Sequence, residues 1–263
     1  INTCISYLGI WISNWCQHTS TITIQQMKTC LLDADMVAYR CAASANEEPL
    51  DIALERADSL IDRIMSDTGS HTLEAWLTGS NNFREVINPQ YKANRKDKPR
   101  PQWLQDTREH IVTGWGARVS DGNEADDELG ISQCAGDGNT VIVSNDKDML
   151  MIPGEHYNPI TMVRSTISPR QGMLNFYYQM IMGDTSDNIF GFDGKARQKV
   201  PKFLEPTISM LMECKDEYEM DEYVFDLYGD RQDQYEMNAQ CLWIQRKTGD
   251  KWQRPKHPDS NQA

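Results

Sequence analysis

The chain has 263 residues, which is enough to bury a sizeable core. None of its apolar stretches approaches the length of a membrane span, so the sequence indicates a soluble globular protein. Its net charge of −13, from 39 acidic and 26 basic side chains, excludes a uniformly basic nucleic-acid-binding surface. Seven scattered cysteines without Cys-x-x-Cys spacing argue against a disulfide framework and a zinc site, and they favour a reducing, cytosolic setting.

The first 26 residues differ from the rest of the chain. They contain no Lys, Arg, Asp or Glu, and therefore lack the basic leader of a secretory signal. Met27 then leads directly into an apolar stretch that is typical of a buried strand. We expect residues 1–26 to be an N-terminal extension with no role in catalysis.

Apolar periodicity predicts strands that alternate with helices in the first part of the chain. In chain order these are a strand at 30–32, a helix at about 51–66, a strand at 73–77, a helix at 102–115, a helix from about 123 to 134 with Asn123 as its N-cap, and a strand at 140–144. This alternation is typical of an α/β domain with a mainly parallel sheet. From about Pro169 onward the pattern becomes helical and less apolar, which indicates a second, helical region.

Acidic residues recur in four short clusters, each placed where a predicted strand ends or a helix begins. They are Asp33; Glu124, Asp126 and Asp127; Asp146 and Asp148; and Asp184 and Asp187. Because ligand sites in such sheets lie beyond the carboxyl ends of the strands, these carboxylates would gather there and repel one another unless cations lay between them. Hard cations such as Mg²⁺ or Mn²⁺ take oxygen ligands, so the clusters predict a metal site. Each cluster alone could be a helix cap or a polar turn, and only their joint occurrence favours the metal site.

Two basic segments stand out against the acidic background, at residues 91–100 and 194–202. The cations in them that we expect to contact an anion are Lys92, Arg95, Lys96, Lys195, Arg197 and Lys199. Phe83 and Tyr91, close to the first segment, favour stacking on bases or sugars. Gly191 and Gly194, close to the second, indicate a tight turn whose backbone N–H groups would suit a DNA phosphate.

Five motifs in fixed order carry a resemblance to a known family. They are Asp33 in an apolar strand, Phe83-Arg84 leading to Tyr91-Lys92-Ala93-Asn94-Arg95, Glu124-Ala125-Asp126-Asp127, Ser144-Asn145-Asp146-Lys147-Asp148, and Gly183-Asp184-x-x-Asp187-Asn188-Ile189. Together they resemble the bacteriophage 5′-nucleases, relatives of flap endonucleases and of the 5′-exonuclease domain of bacterial DNA polymerase I. The resemblance covers residues 27–204.

The resemblance implies a domain organisation. Residues 27–165 would form a PIN-like α/β catalytic domain with a basic helical arch near 83–105. Residues 166–237 would be a helical DNA-binding region with a helix–three-turn–helix element, and residues 238–263 would be a C-terminal tail.

The resemblance also implies roles for the motif residues. Two Mg²⁺ or Mn²⁺ ions would bind, one held by Asp33, Glu124, Asp126 and Asp127, and the second held or surrounded by Asp146, Asp148, Asp184 and Asp187. Lys92 and Arg95 would contact the scissile phosphate. Phe83, Arg84, Tyr91, Lys96 and the turn from Gly191 to Lys199 would contact nucleic acid.

Three departures from the family pattern bear on these roles. Thr78 stands where family members commonly place a metal-binding aspartate after the second strand, and Ala196 stands near a usual glycine. The acidic residues beyond Leu204 match no family element, and their charge argues against a DNA-contacting role.

The sequence therefore predicts a metal-dependent 5′→3′ exonuclease and flap endonuclease that leaves 5′-phosphate products. Its expected substrates are DNA with 5′ ends or flaps, and RNA primer strands in RNA–DNA hybrids. The resemblance places it in DNA replication or host-DNA breakdown in the cytoplasm of an infected cell, and it leaves protein partners undetermined. Two alternatives stay open: a PIN-type ribonuclease, and a non-catalytic DNA-structure binder that has lost a ligand at Thr78.

Overall fold

The computed structural model describes residues 27–96 and 98–257. The predicted extension at 1–26 and the last six residues of the predicted tail lie outside the described residues. None of the helices within the described ranges is long and apolar enough to cross a membrane.

A six-stranded sheet in the order β3-β2-β1-β4-β5-β6 forms the centre of the molecule. All neighbouring pairs are parallel except β5 with β6, which are antiparallel. The strands are β1 Thr29–Asp33, β2 Thr72–Ser80, β3 Arg118–Asp121, β4 Thr140–Val143, β5 Gly154–Asn158 and β6 Val163–Ile167. The predicted α/β class with a mainly parallel sheet is confirmed.

Helices cover both faces of this sheet and continue as a helical region after it. They are α1 Ala34–Ser44, α2 Leu50–Thr68, α3 Phe83–Ile87, α4 Leu104–Trp115, α5 Ala125–Ala135, α6 Pro169–Met182, α7 Glu205–Glu213, α8 Glu217–Tyr228 and α9 Gln232–Leu242. Helix α5 is capped by Glu124 and not by Asn123 as predicted, because the Glu124 and Asp127 side chains form a reciprocal capping box.

The alternation of side chains along β1 divides the core into two layers. Cys30 and Leu32 face the layer formed with α1, α2 and α4, whereas Leu31 faces a layer that contains Ile142, Phe176 and the helical region. Strand β1 lies between β2 and β4 and its core residues are at most 1% exposed. It therefore ends at a fixed position, with Asp33 at the carboxyl edge of the sheet.

The segment between α3 and α4 is less helical than predicted. Within the predicted arch at 83–105, the described residues form α3, a 3₁₀ turn at Ala93–Arg95 and the beginning of α4. Pro89, Pro99 and Pro101 lie in this stretch, and proline removes a backbone donor and disfavours helix at the preceding residue. Lys92, at the 3₁₀ turn, adopts a left-handed backbone conformation with φ of 53°.

Candidate active site

Asp33 lies at the carboxyl edge of the sheet, between the end of β1 and the beginning of α1. Its Oδ1 accepts a hydrogen bond from Met36 N at 3.1 Å, which caps α1, and its Oδ2 accepts one from Ser144 Oγ at 2.8 Å. The side chain is buried, and burial raises the pKa of Asp33 to about 6 in spite of these two hydrogen bonds. Asp33 thus lies where the predicted strand ends, as expected from the sequence.

Asp126 brings a second carboxylate to the same edge, from the first turn of α5. Burial, followed by repulsion from Asp33 and Asp146, raises the pKa of Asp126 well above its usual value. Three carboxylates from separate elements therefore lie close enough to disfavour one another's charge, as a cation site requires.

The loop after β4 supplies a further carboxylate pair. Ser144 Oγ accepts from Asp146 N at 3.0 Å, and Asp146 Oδ1 accepts from Asp148 N at 2.9 Å, so the loop is held by its own side chains. Burial and repulsion from Asp146 raise the pKa of Asp148 to about 7. Gln179, on α6, orients Asp148 by donating from Nε2 to Oδ1 at 2.6 Å.

Lys147 links this loop to the helical region. Its ammonium contacts Asp148 at 2.8 Å and also pairs with Asp184, which is 2% exposed. Burial opposes ionisation of Asp184, but the Lys147 contact outweighs it and lowers the pKa of Asp184. Asp184 also accepts from Ser186 N at 2.6 Å and Asp187 N at 3.1 Å, so its position is closely defined.

A second ion-pair network joins the basic segment to the carboxylates. Lys92 Nζ lies 2.5 Å from Glu124 Oε1 and 3.8 Å from Asp187 Oδ2, and Arg95 Nη2 lies 2.8 Å from Asp187 Oδ1. Burial opposes ionisation of Glu124, but Lys92 and then Arg84 outweigh it and lower the pKa of Glu124. The predicted pair Lys92 and Arg95 thus lies beside the acidic cluster.

Arg84 and Asp127 form a buried pair, which contradicts the nucleic-acid contact predicted for Arg84 and leaves the metal role of Asp127 a prediction. Arg84 is 2% exposed and Asp127 is 0% exposed, and the guanidinium donates to both carboxylate oxygens at 2.6 and 2.8 Å. Arg84 therefore has no free surface for nucleic acid. The Asp127 oxygens also accept from Glu124 N and Gln245 N, so four protein donors engage this carboxylate.

The stacking predicted for Tyr91 and Phe83 is also not supported by their positions. Tyr91 is 3% exposed, and its hydroxyl lies 3.0 Å from Glu124 Oε2 and 2.8 Å from Asp187 Oδ2. Tyr91 therefore orients two carboxylates and presents no ring face to a base. Phe83 is half-buried and lines a small cavity with Trp243 and Trp252 of the C-terminal segment.

The predicted glycine-containing turn after α6 is a compact loop. An added Cβ at Gly191 would lie 2.2 Å from Ile181 O, so only glycine fits there, and Gly194 has φ of +75°. Arg197 pairs with both carboxylate oxygens of Asp193 inside the loop. Lys195 and Lys199 are exposed, as is Lys96 of the first basic segment, and these three remain available to an anion.

Thr78 does not act as a substitute carboxylate. Its backbone N–H donates to Asp35 Oδ2 at 2.7 Å, and its hydroxyl accepts from Ala125 N at 3.0 Å, at the start of α5. Arg108 pairs with Asp35 and donates to Thr78 O at 2.6 Å. The site of the missing aspartate is therefore a structural junction between β2, α1, α4 and α5.

The side chains gathered here suit hard divalent cations chemically. Within residues 27–96 and 98–257, no group of three or more acidic, cysteine or histidine side chains converges as a ready-made cation cage. Lys92 pairs with Glu124, and Lys147 pairs with Asp148 and Asp184. Asp33, Asp126 and Asp148, the last also in contact with Lys147, have pKa values raised first by burial and then by their acidic neighbours. A cation relieves that repulsion, so the residues fit a divalent metal.

A basic groove next to these carboxylates was not predicted from the sequence. It has a volume of about 1290 Å³, runs from Asp33 and Asp146 along α1 and α2, and is lined by Arg40, Arg56 and Arg63. Tyr39, 55% exposed, lies on its wall. One of these arginines lies on α1 and two on α2, where the sequence pattern resembles an ordinary solvated helix face, so only their common groove reveals them.

Comparisons with known proteins point to nucleases. A family model described as the 5′-3′ exonuclease, N-terminal resolvase-like domain, matches residues 28–179. The flap endonuclease Xni of Shewanella sp. (strain W3-18-1) is 25% identical over 179 residues, covering 62% of this chain and 68% of the relative. The flap endonuclease Xni of Shewanella putrefaciens (strain CN-32 / ATCC BAA-453) is 25% identical over the same length.

Solved structures from bacteriophage T5 share the fold. The T5 flap endonuclease in a pseudo-enzyme–product complex with DNA and metal ions has a TM-score of 0.63 at 15% identity, covering 81% of this chain and 89% of that one. The T5 5′-exonuclease with bound zinc has a TM-score of 0.59 at 17% identity, covering 82% and 89%.

Proposed function

The chain belongs to the 5′-3′ exonuclease family through its N-terminal resolvase-like domain, as its motifs predict, and from this premise we propose that it is a divalent-metal-dependent 5′→3′ exonuclease and structure-specific flap endonuclease that hydrolyses DNA. One observation carries the proposal. Asp33, Asp126 and Asp146 come from three separate elements and meet at the carboxyl edge of the sheet, next to Lys92.

The proposal assigns the cations to specific carboxylates. Asp33, Glu124 and Asp126 would hold one Mg²⁺ or Mn²⁺ ion, and the second would be held by the remaining acidic residues, Asp146, Asp148, Asp184 and Asp187. When bound, such ions supply a water of lowered pKa and neutralise charge on the phosphate. Ser144 and Gln179 orient the ligands by hydrogen bonds to Asp33 and Asp148.

In this proposal Lys92 and Arg95 stabilise the reacting phosphate. Both lie against buried carboxylates, and Lys92 also has a positive φ, with its backbone N–H donating to Asp187 O at 3.0 Å. A left-handed backbone at a non-glycine residue is costly and favours a functional reason for the position. A phosphate that approaches this edge would meet two cations where negative charge builds up during hydrolysis.

Three basic surfaces support DNA as the substrate. Lys195 and Lys199 are exposed on the loop after α6, and Lys96 is exposed on the first basic segment. The groove lined by Arg40 and Arg63 leads away from the carboxylates and would take a further stretch of the nucleic-acid backbone. Although the protein is acidic overall, these cations leave basic surface available to a DNA backbone.

Arg40→Gln combined with Arg63→Gln is expected to raise KM for a flap substrate about tenfold and leave kcat nearly unchanged. The two arginines would contact phosphates away from the reacting one. Their loss should therefore also reduce the slope of the logarithm of the binding constant against the logarithm of the salt concentration by about two. Steady-state kinetics at several salt concentrations measure both quantities. Arg231→Gln, an exposed change at the start of α9, is the matched control, and an equal effect of this variant would contradict the role of the groove.

The function itself is tested with the full chain on 5′-labelled substrates in Mg²⁺, Mn²⁺ or EDTA. We expect metal-dependent release of 5′-phosphorylated nucleotides or short flaps from duplex DNA, with RNA–DNA hybrids as a second substrate. Tight binding of the flap without cleavage in any metal would favour the non-catalytic binder. Preferential cleavage of single-stranded RNA would favour the PIN-type ribonuclease.

A further inference from the structure

The buried pair Arg84–Asp127 connects the catalytic domain to the C-terminal segment, here defined as residues 241–254. Besides Asp127, Arg84 donates from Nε to Cys241 O at 2.8 Å and from Nη2 to Trp243 O at 2.7 Å. Asp127 in turn accepts from Gln245 N at 3.1 Å. Three backbone groups of the C-terminal segment thus complete the hydrogen bonding of one buried ion pair.

The same pair determines how α5 begins. Asp127 Oδ2 accepts from Glu124 N at 3.0 Å in the capping box, and Arg84 Nη1 lies 3.8 Å from Glu124 Oε2. Asp126 lies between these two residues in sequence and is one of the proposed metal ligands. A shift of Arg84 or Asp127 would therefore move both the backbone and the side chains that approach the cation site.

Close packing adds to this connection. An added Cβ at Gly130 of α5 would lie 2.5 Å from Gln245 O and 2.9 Å from Ile244 Cγ2, so the helix and the C-terminal segment are in direct contact. Trp243 packs edge-on against Phe176 of α6, with ring centroids 5.2 Å apart. The segment is therefore wedged between α5 and the helical region.

A second anchor at the far end of the segment does not touch the active site. Arg254 donates to Asp221 Oδ2 at 2.7 Å and Glu222 Oε1 at 2.5 Å on α8, and its guanidinium lies 3.6 Å from the centroid of the Phe225 ring. Asp221 is 0% exposed and also accepts from Tyr235 at 2.6 Å. This anchor holds the segment in place and offers a comparison that leaves α5 untouched.

A buried ion pair contributes little net free energy to the stability of a fold. Desolvating both charges offsets much of their attraction, and apolar residues of similar volume often give equal or greater stability. The pair is placed so that every remaining donor or acceptor reaches either the start of α5 or the C-terminal segment. The geometry of the pair therefore indicates that it fixes the start of α5 relative to the C-terminal segment more than it stabilises the fold.

We propose that the C-terminal segment is a positioning element of the active site, acting through Arg84 and Asp127 on the start of α5. Arg84 and Asp127 act as positioning residues, because both are buried and their hydrogen bonds go to protein groups. The segment lies beyond residues 28–179, which the family model matches, so the proposal gives a role to residues outside that match. It rests on the proposed nuclease function.

The test replaces the pair by apolar residues of similar volume. The double variant Arg84→Met/Asp127→Leu is expected to fold with a Tm close to that of the wild type, because both charges are removed together. Its kcat on a flap substrate should fall about 10²-fold with KM nearly unchanged, and its affinity for Mn²⁺ alone should fall about tenfold. The single variant Arg84→Met, which leaves Asp127 buried and unpaired, should be much less stable.

Arg254→Lys is the matched control, because it weakens the far anchor and should lower Tm with kcat and Mn²⁺ affinity unchanged. A stable double variant with wild-type kcat and Mn²⁺ affinity would overturn the proposal, as would an equal loss of kcat in Arg254→Lys. If the wild type cleaves no nucleic acid, the proposed function has failed, and the Mn²⁺ affinities of the two variants still decide the positioning role.

Discussion

Asp148→Asn is expected to abolish cleavage, by about 10³-fold or more, and at the same time to stabilise the metal-free protein at pH 8. Asn retains the hydrogen bond from Gln179 but supplies no charge to a cation. In the wild type, burial and Asp146 raise the pKa of Asp148 to about 7, so its ionised form is disfavoured in the folded state. Single-turnover cleavage and denaturant unfolding in EDTA measure the two effects.

The pH dependence of this stabilisation identifies its cause. The folded-state pKa of about 7 lies above the usual value of 3.8, so the folded protein binds the extra proton. The wild type is therefore most stable, with respect to this group, below about pH 4 and loses that stability as pH rises to about 7. Asp148→Asn removes the loss, and its advantage in the free energy of unfolding should be on the order of 2 kcal/mol at pH 8 and vanish near pH 4.

Asp62→Asn, an exposed change on α2, is the control and should alter neither activity nor the pH profile. Full activity of Asp148→Asn would remove this residue from the metal site. A destabilised variant at pH 8 in EDTA would show that Asp148 is not under electrostatic strain in the folded protein.

Lys92→Ala is expected to slow the chemical step about 10²–10³-fold, as removal of other preorganised groups that stabilise transition-state charge does. The change takes away the ammonium beside Glu124 and leaves that buried carboxylate with fewer partners. Single-turnover rates at saturating enzyme separate this effect from binding. KM or Kd for the flap should change much less than the rate.

Lys96→Ala, four residues further along the same basic segment, provides the comparison. Lys96 is exposed and we expect its loss to act on binding and on the salt dependence of binding, with the single-turnover rate close to wild type. Equal rate losses in the two variants would mean that Lys92 acts through general electrostatics and not at the reacting phosphate.

Residues at the ends of predicted strands were located well from the sequence. Asp33 follows an apolar strand, and Asp146 follows another, so the parallel arrangement alone brings them to one edge of the sheet. The predicted helices and strands lie within a few residues of the observed ones, because apolar periodicity is local information, whereas α1, β3, β5 and β6 were not predicted. The family resemblance could be read for the same reason, since each of its motifs is contiguous.

The sequence did not reveal the environment of side chains whose partners lie far away along the chain. Phe83 and Arg84 look like a nucleic-acid contact in sequence, yet the backbone partner of Arg84 at Cys241 lies 157 positions away. Lys147 was given no role from the sequence, where it lies between Asp146 and Asp148. Only the fold places its ammonium against Asp184. A side chain's chemistry is visible in the sequence, whereas its desolvation and its partner are not.

The sequence by itself determined the class of fold, the family and the set of carboxylates that we propose as cation ligands. Only the tertiary structure decided that Asp127 pairs with Arg84, that Tyr91 is buried and that the C-terminal segment contacts the start of α5. The physical reason is the range of the interactions: strand and helix periodicity act over a few residues, while burial and ion pairing are decided by contacts across more than a hundred.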